Sequence, residues 1–102
     1  MQIIITTKNI SLDKPLEVFI EEKIGGLSKF INNENVVTRI EIGKPSKHHR
    51  SGPIFRAEVN LKIGSKLVRA EAMDNDLRKA IVQVKNELQA QIKKLKEKNS
   101  VK

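Results

Sequence analysis

Three consecutive stretches of the chain alternate apolar and polar residues with a period of two. In 36–44, Val36, Thr38, Ile40 and Ile42 alternate with Val37, Arg39 and Glu41. In 54–63, Phe55, Ala57, Val59, Leu61 and Ile63 alternate with Arg56, Glu58, Asn60 and Lys62. In 66–72, Val68, Ala70 and Ala72 alternate with Leu67, Arg69 and Glu71. Such a pattern demands strands with one dry face and one wet face, so the sheet needs a cover on one side only. Gly64-Ser65 supply a two-residue hairpin turn between the last two strands. A further β-branched strand is predicted over 2–7.

Two amphipathic helices supply the cover. The first is predicted to start at an Asp13 N-cap, with Pro15 in the first turn, where its missing N–H is harmless. Leu16, Phe19, Ile20, Ile24, Leu27, Phe30 and Ile31 then recur at three- and four-residue spacing. Gly25-Gly26 weaken this helix by roughly 1 kcal/mol each relative to Ala. Its packed face is expected to carry it through them to a loop at 32–35. Asp74-Asn75-Asp76 offer caps for a long final helix, whose apolar face is Leu77, Ile81, Val84, Leu88, Ile92 and Leu95. The predicted order is β-α-β-β-β-α, an α+β fold with two helices packed on one face of a four-stranded sheet. At 102 residues the chain suits one domain, expected over 1–97 with a short basic tail at 98–102.

The chain has no cysteine, which excludes disulfides and thiolate metal sites and fits a reducing cytoplasm. Its first apolar run lacks a basic leader and is far too short to cross a bilayer, so a soluble cytoplasmic protein is expected, with no membrane partner. Charge is the first functional clue. Twenty Lys+Arg against twelve Asp+Glu give +8, which suits a polyanionic partner. Residues 1–77 hold twelve basic and ten acidic groups, a net of +2, whereas 78–102 hold eight and two, a net of +6. The only aromatics, Phe19, Phe30 and Phe55, fit core positions, so contact with phosphates and RNA shape is expected over base stacking.

At 100° per residue the final helix sets Arg78, Lys85, Gln89, Lys93 and Lys96 along one flank of its apolar stripe. Lys94 and Lys98 fall on the other flank, with Gln91 and Glu87. The first row runs roughly 27 Å, enough to touch several phosphates. The loop from Gly43 to Pro53 adds Lys47, His48, His49 and Arg50, suited to phosphate or minor-groove hydroxyls. His48-His49 make a poor metal site, because adjacent side chains rarely chelate one ion and no carboxylate set completes it. Arg39-x-Glu41, Arg56-x-Glu58 and Arg69-x-Glu71 read as a cross-paired, nearly neutral outer face. No nucleophile triad, P-loop or dinucleotide fingerprint occurs, so neither an enzyme, a cofactor nor a small-molecule substrate is expected.

Several stretches together carry a family resemblance. They are the first strand, Phe19-x-x-x-Lys23-x-x-x-Leu27-x-x-Phe30-Ile31, Phe55-Arg56-Ala57-Glu58-Val59 and Ala70-Glu71-Ala72. Asp76-x-x-x-Ala80-Ile81 and Leu88-x-x-Gln91-Ile92-x-Lys94-x-Lys96 complete the set. In this order and spacing the chain resembles the ribosome hibernation-promoting factors, the sigma-54 modulation protein family that includes the ribosome-associated inhibitor. The resemblance implies a fold akin to double-stranded RNA-binding domains. It also implies docking against ribosomal RNA in the decoding channel of the small ribosomal subunit, where messenger and A- and P-site transfer RNAs bind. Lys23, Lys94 and Lys96 match basic positions of the family helices, and Lys47 to Arg50 resemble the loop of longer members. Glu87, Ala90 and Arg78 depart from the family pattern. The chain looks like a short form without a dimerising second domain, expected to be monomeric when free. The rivals are a general double-stranded RNA-binding module, an adaptor for an acidic protein, and an RNA-cleaving enzyme resting on His48 and His49.

Overall fold

The computed structural model describes residues 1–31, 35–44 and 54–100, with side chains as far as residue 97. The elements follow the predicted order: β1 (Gln2–Lys8), α1 (Lys14–Gly25), a 3₁₀ turn (Gly26–Phe30), β2 (Val36–Gly43), β3 (Phe55–Ile63), β4 (Lys66–Asp74) and α2 (Leu77–Ser100). The four strands lie side by side in chain order. β1 runs parallel to β2, which is why a helical crossover separates them, and the other two pairs are antiparallel. Gly64, at φ 59°, makes the tight turn that places Ile63 opposite Lys66.

Side-chain alternation does what the sequence pattern requires. Thr38, Ile40 and Ile42 of β2, Ala57, Val59 and Leu61 of β3, and Val68 and Ala70 of β4 are buried on the helix-covered face. Leu16, Ile20 and Ile24 come down on them from α1, and Ala80, Ile81, Val84, Leu88 and Ile92 from α2. Each fully buried Ile or Leu stabilises the fold by about 2 kcal/mol. Asp13 caps α1 as expected, its Oδ1 accepting from the Leu16 N–H at 2.8 Å. Asp76 caps α2, accepting from the Arg78 N–H at 2.9 Å.

The first helix does not run unbroken to Ile31. α-Helical geometry stops at Gly25 and the chain tightens into the 3₁₀ turn. Two consecutive glycines forfeit enough propensity to let the winding change, and the tighter turn still buries Leu27.

Among the described residues one buried side-chain polar atom lacks a partner. Thr38 is fully buried in β2 and its hydroxyl makes no hydrogen bond. Desolvating that group costs about 1–3 kcal/mol, whereas an isosteric methyl does not carry the penalty. Thr38→Val is therefore expected to raise stability by about 1 kcal/mol, read as a higher urea midpoint at unchanged slope.

The open face carries the Arg/Glu pattern, in an arrangement that the register decides. Glu41, Glu58 and Glu71 stand abreast on adjacent strands, which by itself is repulsive. The opposite charges interleave between rows, not along them. From one side Arg56 reaches Glu58 at 3.1 Å, Glu41 at 3.6 Å, and Glu71. From the other side Arg69 pairs with Glu58. The Arg69 hydrogen bond, with the Arg56 charge beside it, holds the Glu58 carboxyl below its ordinary value despite partial burial. An unfolded Glu58 thus binds its proton at higher pH than a folded one. Its contribution is complete above the ordinary value of 4.5 and disappears as pH falls through the folded value. Glu58→Gln is expected to flatten the acid limb of a stability-versus-pH curve below that point, an effect measurable by urea titration at stepped pH.

The edge at β4 is guarded. Gln91 of α2 donates its side-chain N–H to the Arg69 carbonyl at 2.8 Å, occupying a backbone acceptor open to another strand.

Candidate nucleic-acid interface

α1 and the 3₁₀ turn lie beside α2 on the same face of the sheet, and the seam between them collects the positive charge. Two half-buried rings floor it. Phe19 of α1 carries Lys23 at 5.7 Å and Arg78 of α2 at 5.0 Å from its centroid. Phe30 carries Lys29 at 5.3 Å and Lys93 of α2 at 5.9 Å. Beside Phe30 a cavity of about 190 Å³ is lined by Glu22, Lys23, Gly26, Leu27, Lys29, Phe30, Lys85 and Gln89. Aliphatic stems rest on apolar surface while the ammonium heads reach solvent. Among the described residues no ion pair engages Lys23, Lys29, Lys85 or Lys93. Across the sheet, by contrast, Arg56 and Arg69 are spent on neighbouring carboxylates.

Of the residues singled out in the sequence, Lys23, Arg78, Lys85 and Lys93 meet in this seam. Lys96 extends the same flank by one turn and is exposed. Lys94 is exposed on the opposite flank, toward β4, with Gln91 and Gln83. One surface therefore cannot gather all the helix lysines. Lys47, His48, His49 and Arg50, and the side chain of Lys98, lie outside the described residues.

Lys29 belongs to the seam and was not selected by helical periodicity. In a continuous α-helix it would stand about 60° short of a full turn from Gly26, whereas in a 3₁₀ turn residues three apart eclipse. The change of winding at Gly25 swings Lys29 above Gly26 and into the groove. The glycine pair was the available signal, because it marks where α geometry gives way.

All three rings are occupied by cations, Phe55 by Lys44 at 5.4 Å. None of the three rings is left bare for a base to stack on. Among the described residues no helix is long and apolar enough to cross a membrane.

The family model described as sigma 54 modulation protein / S30EA ribosomal protein matches residues 3–100. The chain belongs to this family. Sigma 54 modulation / S30EA proteins are ribosome-associated and act by binding, not by catalysis. The fold agrees with solved structures. The Protein Y N-terminal domain of Thermus thermophilus superposes with a TM-score of 0.80 at 24% identity, covering 93% of this chain and 99% of that one. A ribosomal subunit interface protein from Coxiella burnetii superposes at 0.74 with 19% identity, covering 95% and 99%. No curated protein matches the chain.

Proposed function

We propose that the chain docks on ribosomal RNA in the decoding channel of the small ribosomal subunit and blocks messenger and A- and P-site transfer RNA by occupancy. It thereby silences translation as a cytoplasmic hibernation factor under stress or in stationary phase. The observation that supports this reading most is the basic seam, where lysines of α1, the 3₁₀ turn and α2 gather around one carboxylate, Glu22, and are in no ion pair among the described residues. Family membership supplies the ribosome, and the seam supplies a surface that fits folded RNA. Phosphate contacts hold the register, and the bulk of the domain excludes the other ligands.

The test is competition. Small subunits carrying messenger and P-site transfer RNA beforehand should refuse the protein, and protein added first should block their loading. Simultaneous occupancy of one subunit would overturn the reading. Affinity should also fall with salt, losing roughly one decade in affinity per decade of salt for each phosphate contacted.

A further inference from the structure

Two adjacent glycines interrupt the first helix and let its winding change, yet no backbone angle or steric clash requires a glycine at either position. Gly25 and Gly26 both have right-handed helical backbone angles that any residue adopts. A Cβ on Gly25 would point inward, 3.6 Å from Ile3 Cδ1, an ordinary packing contact. A Cβ on Gly26 would meet nothing within 4 Å. Gly26 is exposed, yet it lines the cavity together with Glu22, Lys23, Lys29, Lys85 and Gln89. A glycine that loses helix propensity without relieving strain or a clash marks a place where something approaches the backbone. The lysines around it define what that is. Lys23, Lys29 and Lys85 are in no ion pair among the described residues and outnumber Glu22, the one carboxylate of the lining, and Gln89 adds an amide donor.

We propose that Gly26 is where an RNA sugar–phosphate strand comes closest to the protein, the missing side chain leaving room for the strand to sink between the lysines of both helices. The ligand is a phosphodiester, not a base: its anionic oxygens meet Lys23, Lys29 and Lys85, and Gln89 donates to a phosphate or ribose oxygen. Gly26 thereby acts as a positioning residue. It carries no charge, and it sets how deep the strand sits. The inference rests on the proposed RNA-binding role of the seam.

The experiment compares wild type, Gly26→Leu, Gly26→Ala and Gly25→Ala for small-subunit affinity across a salt series, with Tm measured on each. Gly26→Leu should bind at least ~10-fold more weakly, about 1.4 kcal/mol, with Tm no lower than wild type and an unchanged salt slope. Gly26→Ala should show a smaller loss, and Gly25→Ala none. Wild-type affinity in Gly26→Leu, while Lys85→Glu still weakens binding, would overturn this inference and leave the seam standing. A lowered Tm in the Gly26 variants would also overturn it, assigning the glycine to the fold. Absence of salt-dependent binding by the wild type would overturn the seam and the inference together.

Discussion

Reversing the charge of Lys23, Lys85 and Lys93 together is expected to weaken small-subunit binding about 1000-fold with the fold intact. Each lysine is placed to make a charge-assisted contact worth about 1.5 kcal/mol at the lower end, so three sum to about 4.5 kcal/mol. Removing three phosphate contacts should also lower the salt slope by about three. None of the three is in an ion pair among the described residues, so the substitutions break no carboxylate bridge there. Lys23 and Lys93 do lie over Phe19 and Phe30, exposed contacts worth about 0.5–1 kcal/mol each. Circular dichroism and Tm near wild type would establish that the loss belongs to the surface. Lys94→Glu is the internal comparison, since Lys94 sits on the other flank of α2. An equal loss from Lys94→Glu alone would move the RNA surface around the helix toward β4.

Gly43→Ala is expected to be the most damaging single substitution in the sheet. Gly43 ends β2 beside Lys8, whose carbonyl accepts from the Lys44 N–H at 3.0 Å. A Cβ at residue 43 would fall 2.9 Å from the Lys8 carbonyl carbon and still closer to its oxygen. Those atoms are main chain, so β1 must move away, losing its last hydrogen bonds to β2. Asn9, at φ 59°, ties the same corner through its side-chain N–H to the Lys44 carbonyl at 3.0 Å, leaving little slack. A cost of about 3 kcal/mol is expected, a fall in Tm of roughly 15 °C for a domain of this size. Thermal unfolding followed by circular dichroism measures it. A fall no larger than that of Gly25→Ala would show that β1 adjusts freely.

The two glycine sites illustrate what is legible in a sequence of this kind. Period-2 alternation in β2, β3 and β4 fixes which side chains face the helices, because a one-residue slip would turn the whole set outward. Asp13, Asp76 and Gly64 were readable for the same reason: each satisfies a backbone requirement of its own few residues. The row of Glu41, Glu58 and Glu71 was not, since it depends on register between strands. Nor was Lys29, whose position depends on a switch of helical winding that periodicity assumes away. For Lys94, charge and helical angle point to different flanks. Its residue type and family match placed it with the RNA contacts, while the helical angle puts it across the stripe from Lys85 and Lys93. The RNA contacts at Lys23, Lys85 and Lys93 are proposals that the charge reversals test, and those at Arg78 and Lys96 are proposals of the same kind.

The most direct measurement is co-sedimentation of the protein with small ribosomal subunits in the presence of excess simple RNA duplex. Retention on the subunit despite the competitor, lost on reversal of Lys23, Lys85 and Lys93, is the predicted result. Transfer of the protein to the duplex would contradict ribosome specificity and reduce the chain to a general binder of double-stranded RNA.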